Sequence, residues 1–213
     1  MTAEEFTRIK NALLPHLPGF VADRKRIFKS PVDDFCRGLA FESSQDANRF
    51  YLWVFVLPLF VPHDGFGMTH GKRLRRRNGG EGWRDDDRNV ITDLLDTIQS
   101  AAMPFLNNVS TFERAVNYLK EAVDSGRPRV NSHQLEALAY ILIKSGDYSS
   151  ALELLAELKE RLAGDTVPWV VEQRGRAQLM EDKLLQNPET ALAQLDEWKK
   201  WTIGKLRLEK YVQ

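Results

Sequence analysis

The 213-residue sequence predicts an α+β fold, a small antiparallel sheet with an N-terminal helix followed by irregular antiparallel helical hairpins. Two patterns carry this expectation. Up to position 61, β-branched and aromatic residues alternate or run together in short segments; from Asp85 onward, apolar residues recur with a period near 3.6. Between them, 71–87 reads GKRLRRRNGGEGWRDDD and has neither period, so the expected division is 1–84 and 85–213, with the helical part packed on the first as one body.

Thr2 followed by Glu5 forms a capping box ahead of Phe6, Ile9 and Leu13, which predicts a first helix ending at Pro15. The segments FVA and RIFKS flank a polar turn at 23–25 and read as a hairpin. In 35–41, Phe35, Leu39 and Phe41 share one face of a strand, while Cys36, Gly38 and Ala40 share a face that allows close packing. The run 50–61 is apolar on both sides and predicts a central strand, with Pro58 where pairing stops, giving three or four strands in all. Asp85, Asp86 and Asp87 stand where they would cap the first of six later helices. Further caps are expected at Ser110 with Glu113, Asn131 with Gln134, Asp147 after Gly146, Asp165 or Thr166 before Pro168, and Asn187 before Pro188.

Composition narrows the function classes. Hydrophobic residues make up 43% of the chain, enough for a core, and 30 basic residues balance 30 acidic ones, so no global field draws nucleic acid or membrane. The single cysteine, Cys36, rules out an intrachain disulfide framework and reads as a buried structural thiol. No secretory signal is recognisable at the start, and Pro58 and Pro62 interrupt the longest apolar run, so a soluble cytoplasmic protein is expected.

The segment ALAYILIKSGDYSSALELLAELKERL, Ala137 to Leu162, resembles a tetratricopeptide repeat, with Leu135 just before it and Leu138, Ala139, Leu142, Gly146, Tyr148, Ala151 and Leu155 inside it at that family's spacings. Phe112, Ala115, Leu119 and Ala122 echo the second helix of such a repeat, as do Pro188, Ala191 and Leu195, with bulky Trp198 at a usually small position. The resemblance implies irregular tetratricopeptide-like antiparallel helical hairpins and a role in protein interaction. The order of an amphipathic helix, Gly19-Phe20, an Arg26 to Phe28 hairpin and a long apolar strand is similar to an uncharacterised bacterial domain family found among toxin-immunity proteins. That resemblance implies toxin neutralisation.

Candidate chemistry is thin. Around Gly71-Lys72, position 66 is Phe and position 73 is Arg, so a phosphate loop is not matched. His63, Asp64 and His70 lack a spacing that would fix a metal, and no cofactor is expected. The acidic pairs offer no environment that would separate two pKa values, and catalysis is not expected. The cations Lys72, Arg73, Arg75, Arg76 and Arg77 with Trp83 are the candidate partner-binding residues, and local pairing with Glu81 and Asp85 to Asp87 is the competing reading. Trp201 projects away from the Leu192, Leu195, Ile203 and Leu206 face of the last helix and is expected to be covered by the sheet or by a second chain, which leaves a homodimer open. The leading expectation is non-catalytic binding of another protein, a toxin in its most concrete version. The alternative is a nucleic acid or phosphorylated ligand held by 72–77.

Overall fold

In the structure, a computed structural model describing residues 2–46, 48–77, 79–124 and 131–212, Thr2 and Glu5 form the capping box of α1 (Ala3–Leu13), which buries Phe6, Ile9 and Leu13. The hairpin β1 (Phe20–Asp23) and β2 (Arg26–Lys29) pairs Phe20 with Lys29 and turns through Arg24 at φ 50°. β3 (Phe35–Ser43) adds to β2 with Phe28 opposite Gly38. A Cβ on Gly38 would meet the Ile27 carbonyl oxygen at 2.2 Å and Phe28 Cα at 2.6 Å, so only glycine lets these backbones approach.

β4 (Arg49–Pro58) is the sheet's long strand. Its second half is buried on both faces, but in its first half Phe50, Leu52 and Val54 are buried while Tyr51 and Trp53 are only part-covered. Pairing stops at Pro58 as expected.

The sheet has more strands than the three or four expected, because β5 (Gly71–Arg73) and β6 (Trp83–Arg84) both pair along the outer edge of β4. Trp53 faces Arg73, Leu74 N donates to Leu52 O at 2.8 Å, and Phe50 faces Trp83. Between them Arg75 and Glu81 form an isolated antiparallel bridge, and Arg76 N donates to Gly80 O at 2.9 Å. Thus the segment read as a connection is a sheet edge. Its short strands carry no alternating apolar pattern to announce them; the free backbone groups of β4 supply the template.

The chain divides into two compact units, Met1–Leu57 with His70–Ser110 and Leu208–Gln213, and Pro58–Thr69 with Thr111–Arg207. The division therefore departs from the change of period at 84/85. α2 (Val90–Thr97), a π turn over 98–102 and α3 (Met103–Asn108) belong with the sheet. α2 packs on α1, and Arg37 of β3 donates to the carbonyls of Val109, at 2.9 Å, and Ser110. Tyr211 meets Phe28 edge to face at 5.0 Å, and Val212 bridges Val32.

The second unit holds α4 (Phe112–Asp124), α5 (Ser132–Ser145), α6 (Tyr148–Arg161), α7 (Pro168–Gln186) and α8 (Pro188–Leu206). α5 packs on α6, α6 on α7, α7 on α8 and α8 back on α5, so these four close a ring, with α4 on α5. Trp198 packs against Tyr140 at 5.4 Å and occupies the α5–α8 contact. Ala122, one of the repeat-like positions, has its side chain outside the described residues.

Asn131, Asp147 and Asn187 cap as expected, and Gly146 ends α5 at φ 83°. Others differ. The residue before α2 is Asn89 with no side-chain cap bond, because Asp86 pairs with Arg84 and Asp87 binds Asn89 N and Arg76. At α4, Thr111 Oγ1 accepts from Arg114 N, while Ser110 turns back to Asn107 O. Ahead of α7, Asp165 accepts from Val167 N at 2.9 Å.

Candidate functional site

From Leu135 to Ile143 every residue of α5 is buried, so Glu136 is carried into the helical unit with its neighbours and is fully enclosed. An unpaired carboxylate there would carry a large desolvation penalty, and four donors offset it. Arg176 of α7 binds it bidentately, Nε to Oε1 at 2.7 Å and Nη2 to Oε2 at 3.0 Å. Tyr140 donates its hydroxyl to Oε1 at 3.1 Å, and Gln173 Nε2 donates to Oε2 at 2.9 Å. Burial pushes the Tyr140 hydroxyl well above its ordinary pKa, so it stays a donor. The Gln173 amide also reaches His133 Nδ1 at 3.3 Å while its oxygen accepts from Ser132 Oγ at 2.9 Å. This fixes Nδ1 of His133 as the acceptor and leaves its proton on Nε2.

Above this network runs the segment 61–69. Thr202 of α8, itself buried, ties it down: its hydroxyl donates to Val61 O at 3.2 Å and accepts from His63 N at 3.4 Å. Burial lowers the His63 pKa from its ordinary 6.5 to about 4, with Glu136 pulling the other way. The His63 Nε2 atom is buried and has no hydrogen-bond partner among the described residues. His133 is lowered too, chiefly by burial. Both imidazoles are therefore neutral at physiological pH.

Segment 61–69 and the facing sides of α5, α7 and α8 enclose a cleft of about 600 Å³. Trp169 and Trp201 stand at it, 51% and 44% exposed, with Phe66 beside them. The Trp169 ring stacks on His133 with centroids 5.3 Å apart. Asp64 and Glu172 are exposed carboxylates of the same lining.

The sequence candidates are distributed differently. Lys72 lies 5.5 Å from the Phe105 ring centroid; Arg73 lies over Tyr51 at 4.1 Å and Trp53 at 5.1 Å and pairs with Glu42 at 2.9 Å. Arg75 pairs with Glu81 at 3.1 Å, and Arg76 pairs with Asp93 at 2.6 Å and Asp87 at 3.4 Å. Arg77 is exposed. Trp83 is 1% exposed and stacks on Phe50, so it is core and presents no ring to a partner. Trp201 is 44% exposed and borders the cleft. His63 and His70 fall in different units, and among the described residues no three His, Cys, Asp or Glu side chains are grouped to hold a metal. Cys36 is buried, and burial pushes its thiol up to about 12. No helix of the described residues is long and apolar enough to cross a membrane.

Glu136, Gln173, Arg176 and Trp169 escaped the sequence reading. One signal was present for Glu136: LEALAYILI is apolar around the whole helix, so its single charge had to be buried and paired. Nothing near Arg176 in sequence marks it as the partner. Comparison with protein-family models, curated proteins and solved structures finds no match to this chain.

Proposed function

We propose that the protein is a non-catalytic protein-binding protein and that the cleft of the helical unit is its recognition site. The observation that carries this reading is the pair of exposed indoles, Trp169 and Trp201, standing at one cleft. Large aromatic rings around a cavity are the composition of binding hot spots, and exposing two of them in water without a partner is unfavourable. The chemistry beneath supports binding without turnover. Four donors occupy the acceptor positions of Glu136, leaving it no vacant lone pair for a substrate proton.

The partner is another protein, and toxin neutralisation is the concrete version that the N-terminal resemblance implies. A cytoplasmic setting suits the single buried thiol of Cys36. The tetratricopeptide-like reading agrees with an interaction role for the hairpins. Nucleic-acid binding at 72–77 loses support because carboxylates or aromatic rings already engage Lys72, Arg73, Arg75 and Arg76.

Photo-crosslinking tests the reading in cells that make the protein. A benzophenone amino acid replacing Phe66 at the cleft is expected to give discrete protein adducts. The same group replacing Leu185, which is 68% exposed and does not line the cleft, should not give them. Identical adduct patterns from the two positions, or none from position 66, would overturn it.

A further inference from the structure

We infer that the cleft takes a basic side chain, an arginine or lysine presented on an extended segment of the partner protein. The inference rests on the reading of the cleft as a protein-binding site and adds the chemistry of its occupant.

The charge of the lining is the first argument. Asp64, Glu136, Glu172 and Arg176 are its ionisable groups besides His63 and His133. Glu136 and Arg176 neutralise each other within hydrogen-bond distance, and both imidazoles are uncharged. What remains is the pair Asp64 and Glu172, neither of which forms an ion pair among the described residues. A cationic guest would find two carboxylates at the mouth; an acidic or phosphorylated one would meet repulsion.

The rings give the second argument. The faces of Trp169 and Trp201 carry the negative lobes of the indole quadrupole, the best aromatic partner for a guanidinium or ammonium group. Trp201 already holds one cation, Lys205 of its own helix, whose Nζ lies 5.3 Å from the ring centroid.

A guanidinium fits both features at once, because its plane stacks on an indole while its five N–H groups reach carboxylates.

The test uses the intact protein and an acetylated, amidated octapeptide of Gly and Ser with two arginines. The companion peptides carry citrulline or glutamate in their place. Binding is read from the indole N–H resonances of Trp169 and Trp201, with buried Trp83 as the internal control. The expected result is saturable shifts confined to the cleft indoles, with the citrulline peptide at least about tenfold weaker. Asp64→Asn with Glu172→Gln should weaken the arginine peptide by about tenfold, while Glu153→Gln on exposed α6 should not. Equal binding of the citrulline peptide, preference for glutamate, or no shift at millimolar peptide would overturn the inference. If position 66 still cross-links a protein under those outcomes, only the basic-side-chain assignment falls; if that cross-link also fails, the binding reading falls with it.

Discussion

Between Lys72 and Arg77 the cations are adjacent in sequence, and Glu42, Glu81, Asp87 and Asp93 or aromatic rings of the sheet unit engage most of them. The cleft is assembled the other way. Its ionisable groups stand at positions 63, 64, 133, 136, 172 and 176, and no stretch of sequence displays them together. Charge density along the chain is therefore a poor guide to charge available at the surface. A run of like charges strongly favours nearby counter-charges, whereas isolated acids on separate elements can converge without being neutralised.

The largest effect is expected at Glu136. Replacing it with Leu removes a buried carboxylate but strands the Arg176 guanidinium, the Tyr140 hydroxyl and a Gln173 N–H. Losing one partner of a buried pair costs about 3 to 5 kcal/mol, so urea unfolding should show a loss of that order. A loss near that of an exposed ion pair would mean the network is wet and the cleft floor is not built as described.

The next effect is a pH dependence at His63. Its folded pKa lies near 4 and its ordinary value is 6.5, so as pH falls through 6.5 the unfolded chain takes the proton first. Stability is lost between about 6.5 and 4, and the gap corresponds to about 3 kcal/mol. His63→Gln should remove that part of the slope while keeping the backbone bond from position 63 to Thr202. If the variant and the original protein lose stability in parallel over this range, His63 is solvated.

Legibility in the sequence followed locality. The helix caps at Thr2, Asn131, Asp147 and Asn187 and the hairpin at 20–29 depend on residues a few positions apart, and the sequence displays them. β5 and β6 depend on an edge presented by β4 some twenty or thirty residues earlier, so their own composition says little. The cleft is less legible still. Glu136 and Arg176 are 40 positions apart, and the pattern that sets Trp201 off from the apolar face of its helix does not display the cleft it borders. The amphipathic pattern tells which way a side chain projects; whether another element covers it is decided by tertiary packing.

Within the basic run, Arg76 stands apart from its neighbours. Its side chain is 21% exposed and meets two carboxylates, so it is the structural member of the basic run. Arg76→Ala should cost about 1 to 2 kcal/mol in thermal or urea unfolding. A neutral result would place Arg76 with its solvated neighbours and return the run to the class of free surface charge.

The smallest effect is expected from Arg75→Ala with Arg77→Ala. The Arg75 side chain is 72% exposed in its pair with Glu81, and exposed pairs contribute about 0 to 1 kcal/mol, so stability should hardly move. The variant still discriminates between functions, because nucleic-acid binding leaves a signature that stability does not. Each phosphate contact contributes about 0.7 to 0.9 to the fall of log K against log salt, so losing two contacts would flatten the slope by about 1.4 to 1.8. With Lys72, Arg73 and Arg76 held by rings and carboxylates, few cations are available to release counterions. The expected outcome is no measurable affinity for DNA or RNA at moderate salt in either protein. Tight polynucleotide binding whose salt slope flattens in the double variant would reverse the comparison, making the loud run the functional surface and the quiet cleft a structural one.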